Sequence, residues 1–581
     1  VVAFDELRNA RPEWLVHPLT AWVDANKALE QAQQDTATQL SQGLRHSEWK
    51  GDAANGAFLA SDGLGKRLSM GSIEASAMIN TLRAAMDELT SCQTALRDAI
   101  DRATAQRFTV GPGGSLAWQE MPDGRPATTP EDQAARDRQM AAFQDEFQRI
   151  VQRATDADSR FAGDVDRLHP ADLAGPNAWQ NVVGDASNAA GATNTRPDQI
   201  PKDPAEAAKW WAGLTEEQRE LFTEAYPGAI GSTDGLPSKV RDEANRVELA
   251  RQIEAMQGQT PSAADKDKHD SELARLLDID KKLTDGQSRP PEQQLQLLKF
   301  GAEGEGRVIL AVGNPDEAAN VAVFVPGTSA SSDNGDLKRV YNMQSAADRL
   351  TPGAPGDVAT ILWLDYDAPD ALVNAVSRDY AAAGAPNLDS FLNGFQAQNG
   401  DTPHVTVVGH SYGSSLIGDA ARGGNGIAVD DIVALGSPGM HVDSADDLQI
   451  DPRHVWAEEA PNDPVPELGA AGHGGVRFGS PVDFDMTWGS HGPGISMDVD
   501  SPIQFVTPTS DNFGGNRMTA TDNSPTSGNF PDPSAHSSYW DLNADGTPGV
   551  SLDNQARVIM GEYNNPEPRL QPQLIDGRMP G

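Results

Sequence analysis

From residue 307 onward the chain is written in short, almost wholly apolar runs: RVILAV (307–312), VAVFV (321–325), VATILWL (358–364), HVTVV (404–408), DIVAL (431–435) and HVWA (454–457). Runs of this length, rich in β-branched residues and without polar alternation, are strands that must be covered on both faces. Helical segments separate the later runs, 369–383 and 414–421 among them. Covered strands alternating with helices define an α/β domain over 301–581 with a mostly parallel sheet flanked by helices.

Upstream the pattern is helical. Ile79, Leu82, Met86, Leu89, Leu96 and Ile100 fall near a three-four alternation, and Leu19, Trp22, Val23, Leu29, Leu40 and Leu44 make a similar stripe before a break at Ser47-Glu48-Trp49-Lys50-Gly51. Residues 1–108 therefore read as an all-α helical hairpin whose turn packs the Trp49 indole on the seam. After a Gly/Pro break, a long helix is predicted over 130–168 with Met140, Phe143, Phe147, Ile150 and Val151 on one face. A helical block follows at 204–256, where Thr215 and Gln218 fit a capping box and Pro227-Gly228 ends the helix. A charged helix at 265–283 reads as a solvated face. Residues 109–300 are thus a helical region that packs on, or links to, the α/β domain. Late in the chain, 464–535 is dense in Gly and Pro and reads as an irregular, lid-like segment. Its Phe478, Phe484, Trp488, Phe505 and Phe513 either pack it onto the sheet or line an apolar entrance.

Charge narrows the function classes. With 45 Lys and Arg against 85 Asp and Glu, the net charge of −40 repels phosphate backbones, which disfavours nucleic acid and anionic membrane as partners. Cys92 is the one cysteine among 581 residues, so neither a disulfide scaffold nor a cysteine-ligated zinc site can form. No run approaches the 18 to 20 apolar residues of a membrane-spanning helix, and VVAFDELRNARPEW lacks the basic-then-apolar pattern of a cleaved signal peptide. The expectation is a soluble chain, either cytoplasmic or exported without a cleaved signal.

The chemistry is concentrated in VTVVGHSYGSSLIGDAA (405–421), where Gly409-His410-Ser411-Tyr412-Gly413 stands between a strand and a helix. A serine on so sharp a turn adopts a strained backbone, and the flanking glycines admit neighbouring chain without a Cβ collision. The helix amino terminus adds positive partial charge, and the Tyr412 amide is placed to receive a developing oxyanion. A serine hydroxyl needs a base, and the base an orienting acid, in the chain order Ser, Asp/Glu, His. Asp463 is the first candidate acid, with Glu458, Glu459 and Asp431 as rivals. His536 is the favoured base, with His473 and His491 as rivals; the His410 side chain is expected to pack or bond locally. For the second oxyanion donor, VAVFVPGTSAS offers the amide of Thr328 ahead of Gly327. Asp541-Leu-Asn543-Ala-Asp545-Gly546 matches the first half of a calcium loop, but its twelfth position is Leu552 rather than Glu, so a polar turn is expected. No metal and no cofactor are called for.

The stretch 210–561 resembles an actinobacterial family of α/β-hydrolases of unknown function. The resemblance is carried by WWAGLTEEQRELFTEAYPGAIGSTDGLPSKVRDEANR, VAVFVPGTSAS, VVGHSYGSS, LGSPG and AHSSYW. It implies an α/β-hydrolase fold and a serine hydrolase with Ser411, Asp463 and His536 as its triad. The first hundred residues are similar to the WXG-type helical hairpins of type VII secretion, with Trp49 and Gly51 in the turn. The Tyr-x-x-x-Asp/Glu string of such substrates is absent after the second helix, though 366–370 and 563–567 fit it. The expectation is therefore an esterase- or lipase-like enzyme acting on a small-molecule or lipid ester, its hairpin offering a face for a helical partner or self-association. The alternative is a non-catalytic, type VII secretion-associated interaction protein on a hydrolase scaffold.

Overall fold

Helix Asp52–Ala105 runs 54 residues without a proline to interrupt its hydrogen-bond ladder, a rod of about 80 Å. It is the spine of the first of two units in the computed structural model, which describes residues 1–47, 49–119, 129–168, 173, 175–304, 306–328, 335–369, 377–400, 403–478, 487–489, 492–494, 503–520, 532, 534–563 and 572–573. The first unit comprises 1–199 and 215–226, the second 200–214 and 227–581. The division differs from the breaks expected near 108 and 300, because helix Ser238–Gln257 packs directly on the first strand of the sheet.

In the first unit, Val16–Asp35 pairs with the early part of the spine, where Ser72 donates to Asn26 at 2.7 Å. Pro130–Arg167 pairs with the later part, where Arg153 bridges to Glu88 at 2.8 Å. Leu96 and Ile100 bury against Phe4, Phe108, Phe143 and Phe147, so the stripes read on both helices meet in one cluster. The turn before the spine corrects an expectation. Gly51 takes φ +101, a conformation that favours glycine, but Trp49 is 48% exposed and does not pack on the seam. The seam between the two arms carries a buried polar pair, Ser41 and Ser61, hydrogen-bonded at 2.7 Å. The Thr215–Gln218 capping box forms as expected, its helix ends at Ala225, and Pro227 opens the next.

The second unit is built on a sheet that, among the described residues, has nine strands. They are β1 Leu295–Gly301, β2 Arg307–Val312, β3 Asn320–Val325, β4 Val358–Leu364, β5 His404–His410, β6 Asp431–Leu435, β7 Val455–Glu458, β8 Asn516–Met518 and β9 Pro572–Gln573, in the order β9-β8-β7-β6-β5-β3-β4-β2-β1. The run β8 to β4 is parallel, while β1, β2 and β9 are antiparallel to their neighbours. The chain leaves β3 for β4 on one side through α1 (Asp336–Asp348), then crosses back to β5 through α2 (Asp379–Asn399). Right-handed crossovers in opposite directions put these helices on opposite faces. There α1 packs beside α4 (Val550–Ile559) and α2 beside α3 (Tyr412–Ala421), which explains why β3 to β7 are buried on both sides.

Several expected elements are moved. Of the helix expected over 369–383, residues 370–376 lie outside the described residues; the described helix Asp379–Asn399 extends well past the expected end. Strand β1 was not anticipated; its sequence LQLLKFG carries polar residues, and register with β2 decides it. The helix Lys266–Gly286 is solvated on one side only, since Leu276, Ile279 and Leu283 are buried. The segment 464–535 is regular in part: helix Val465–His473, then Gly475–Phe478 paired with Ile503–Val506, then β8 inside the sheet. Phe513 is core and Phe505 half-buried, which favours packing over an entrance, whereas Phe484 and the side chains of Phe478 and Trp488 lie outside the described residues.

At the amino edge of the sheet the buried Asp431 carboxylate accepts from His404 Nε2 (2.8 Å), His454 Nδ1 (3.0 Å), Trp456 Nε1 (2.8 Å) and Tyr563 Oη (2.5 Å). Burial opposes the charge on Asp431, but these donors outweigh it and hold its pKa below 3.8. Burial likewise opposes charge on His404, and the Asp431 bond more than offsets it; at His454 that bond is the leading cause, and both histidines titrate above their ordinary 6.5. A raised histidine contributes stability below its unfolded pKa and loses it as pH rises through the folded one; the lowered aspartate contributes above about 4 and loses it on acidification. Asp431→Asn should therefore cost about 3 kcal/mol at pH 6 and clearly less at pH 9. Urea midpoints of both proteins at the two pH values check this, and an equal loss at both would count against it.

Candidate active site

Strand β5 stops and turns within a single residue. Ser411 takes φ 53 and ψ −128, and α3 begins at the next residue. Such a conformation costs about 1–3 kcal/mol for a residue with a Cβ and persists only where its surroundings hold it. Here the Ser411 amide donates to the Leu435 carbonyl at 2.9 Å, extending the β5–β6 ladder. The neighbouring chain is too close for side chains. A Cβ at Gly409 would lie 2.7 Å from Ser414 Cα, and one at Gly413 2.2 Å from the Val325 carbonyl oxygen. The loop after β3 presses on the same point, since a methyl at Gly327 would sit 2.8 Å from Ser411 Cβ and 3.1 Å from the Tyr412 nitrogen. Tyr366 Oη pins this loop by donating to the Pro326 carbonyl at 2.6 Å. Gly327 and the Tyr412 amide thus lie beside Ser411, with Thr328 half-buried next along the loop.

Asp463 follows β7 and is buried. Its Oδ1 accepts from the Val465 amide at 2.9 Å and its Oδ2 from Tyr539 Oη at 2.6 Å; His536 Nδ1 lies 3.0 and 2.9 Å from the two oxygens. A carboxylate can only accept, so Nδ1 carries the hydrogen and Nε2 presents its lone pair. That Nε2 is buried and has no hydrogen-bond partner among the described residues. Proximity to the elbow runs through Leu435 and Gly436. The first accepts from the Ser411 amide, and a Cβ on the second, at φ +54, would lie 2.8 Å from Asp463 Oδ2 and 3.0 Å from His536 Nδ1. An imidazole with an open nitrogen is therefore held close to the elbow on which the strained Ser411 sits.

The rival residues go elsewhere. Asp431 is at the opposite edge of the sheet, as described. Glu459 accepts from Thr509 Oγ1. Glu458, the last residue of β7, is buried beneath the site and accepts from Ser551. His473 Nδ1 is 2.8 Å from His441 Nε2, whose Nδ1 is 2.9 Å from Asp419 Oδ2, an array separate from Asp463. His491 lies outside the described residues. His410 packs, as one of its two expected outcomes, against His536 and Trp540, but its hydrogen bond is long-range: Nε2 donates to the His536 carbonyl, 126 residues away, at 2.8 Å. Burial first, then the charges of His536 and Arg339, hold its pKa well below the ordinary histidine range. Sequence reasoning missed Tyr539 as the support of Asp463. The available signal was its place three residues after His536 in AHSSYW. Asp541, Asn543 and Asp545 form the expected polar turn, with Thr547 donating to Asp545 from both its amide and its hydroxyl.

Burial drives the Glu458 pKa well above its ordinary 4.5, outweighing bonds from Ser551, Asn554 and Gln555. A pKa raised on folding means relative stability is lost as pH climbs from 4.5 toward the folded value. The uncharged Glu458→Gln lacks that loss, so its melting temperature minus that of the parent should grow from pH 5 to pH 8. A constant difference would show that Glu458 does not titrate in this window.

Comparison with known proteins agrees with this architecture. The profile of an alpha/beta hydrolase family matches residues 302–472. The uncharacterized protein Rv2079 of Mycobacterium tuberculosis (strain ATCC 25618 / H37Rv) is 31% identical over 306 residues, 47% of this chain and 46% of that protein, so the match spans less than half of that relative's length. The uncharacterized protein Mb0988c of Mycobacterium bovis (strain ATCC BAA-935 / AF2122/97) is 36% identical over 192 residues, 30% of this chain and 71% of that protein. Among solved structures, a fungal esterase from Rhizomucor miehei matches with TM-score 0.20 and 18% identity, over 38% of this chain and 81% of its own. The strand order, the elbow and the kinship with Mb0988c lead to one conclusion: the chain belongs with these mycobacterial proteins to an alpha/beta hydrolase family.

Proposed function

We propose that the chain is a serine hydrolase that cleaves carboxylic esters, with Ser411 as nucleophile, His536 as general base and acid, and Asp463 as the orienting carboxylate. The observation that supports it most is the buried, unpartnered Nε2 of His536, whose opposite nitrogen is held by Asp463 beside the Ser411 elbow. Ser411 Oγ forms a bond to the carbonyl carbon while its proton passes to His536 Nε2. Negative charge on the carbonyl oxygen is received by the Tyr412 amide at the start of α3 and by an amide of the Gly327-Thr328 loop. The ester C–O bond then breaks, and the leaving alcohol takes the proton from Nε2. Water adds to the acyl-enzyme by the same route, its proton going to Nε2 and then to Ser411 as the carboxylic acid departs. Asp463 orients the imidazole throughout, itself held by Tyr539 and the Val465 amide. The chemistry needs no cofactor, and the ester preference follows from the fold class rather than from the three side chains.

A second reading, a non-catalytic interaction protein linked to type VII secretion, draws on the helical unit. Trp14, Trp49 and Leu59 are 71%, 48% and 74% exposed, and Val16–Asp35 has no fully buried residue. It predicts no turnover of p-nitrophenyl esters.

A fluorophosphonate probe should label Ser411 in the full chain, with labelling abolished in Ser411→Ala and slowed by at least about 10³-fold in His536→Ala. Mass spectrometry of the labelled peptide gives the site. Labelling that persists in Ser411→Ala would remove the enzyme reading and favour the second.

A further inference from the structure

His536 is carried by a short helical turn, Ala535–Trp540, far along the chain from Ser411. Asp463 holds the ring through Nδ1, and Tyr539 holds Asp463, but neither bond ties the backbone of this turn to the elbow. His410 does. Its ring is buried, its Nε2–H reaches the His536 carbonyl at 2.8 Å, and its plane lies against the His536 ring with centroids 4.5 Å apart. Trp540 meets the His410 ring edge-on at 4.9 Å, and Arg339 backs Trp540 from 4.4 Å while reaching Ser537 Oγ at 3.4 Å. The residue adjoining the nucleophile is therefore hydrogen-bonded to the main chain of the residue that bears the base.

We propose that His410 is a positioning residue: its Nε2–H to the His536 carbonyl fixes the turn so that His536 Nε2 stays in line between Asp463 and Ser411. The inference rests on the serine hydrolase reading and specifies how the base is held. This bond joins the residue beside the nucleophile directly to the main chain of the residue that carries the base, a shorter tie than the path through Leu435, Gly436 and Asp463. An uncharged His410 suits the role, because a cation stacked on His536 would oppose the imidazolium that forms there in each proton transfer. Donation from Nε2 is what matters, so a side chain keeping a donor at similar reach should substitute for histidine, and a ring without one should not.

The test compares His410→Gln, which keeps a donor of similar reach, with His410→Phe, which keeps the ring and loses the donor, using the full chain and p-nitrophenyl butyrate. His410→Asn, whose amide falls short of the carbonyl, is a second donor-loss variant should His410→Phe prove insoluble. The donor-loss variants should lose about 10²-fold in kcat with KM little changed. The acid limb of their kcat/KM profile should move to lower pH, because an imidazole seated less well on Asp463 holds its proton less tightly. His410→Gln should stay within a few fold of the parent with its acid limb in place. Scaling to the fraction of sites titrated by the fluorophosphonate separates misfolding, which lowers that fraction without moving the limb. A donor-loss variant that turns over like the parent, or a His410→Gln that falls as far, overturns the positioning role while Ser411 labelling stands. A parent that neither labels nor turns over overturns the hydrolase reading and this inference with it.

Discussion

The absence of side-chain bulk around one strained residue is the condition on which the second unit's site depends. Ser411 can occupy φ 53 between β5 and α3 only because β3 and its following loop come close enough to hold it, and they come that close only because Gly327, Gly409 and Gly413 have no Cβ. The contact with Gly413 involves the Val325 main chain, which cannot move aside as a flexible side chain could. The strand order makes the junction available. The crossovers reverse direction at β3, which places the Gly327 loop and Ser411 at the carboxyl ends of the parallel strands, where open α/β sheets bind their ligands.

Three buried carboxylates, two on the adjacent strands β6 and β7 and one in the loop after β7, show how environment differentiates one functional group. Asp431 opens β6, is paired with two histidines and stays charged. Glu458 ends β7 among neutral partners, and burial pushes its pKa well above the ordinary carboxylate range. Asp463, five residues further, accepts from an amide, a phenol and an imidazole, so each oxygen is occupied by a donor. The ordered donors around Asp463, more than its exposure, distinguish it from Glu458, since both are buried.

The helical unit follows different physics. Its spine gathers small and apolar residues on shared seams, with an aromatic cluster around Phe143 and Phe147 at one end and Ser41 with Ser61 at the other. The aromatic end is a packed core. Toward the hairpin turn the seam is polar and large apolar side chains remain exposed.

Local pattern alone determined much of this protein. The strands 307–312, 358–364 and 431–435 and the helix from Pro130 stand where their residues predict, because a run buried on both faces or a stripe at helical spacing carries its own signature. The elbow was legible for the same reason, its glycines and serine falling within five consecutive residues. Tertiary structure decided what depends on partners distant in sequence. Strands β1 and β8 exist through their neighbours, not their own composition, and Trp49 lies exposed rather than on the seam. Among several acids and histidines, Asp463 and His536 meet only once loops of no periodic pattern have closed, and His410 reaches the His536 carbonyl across 126 residues. Propensity is a property of neighbours along the chain, whereas hydrogen-bond distance is a property of the packed whole.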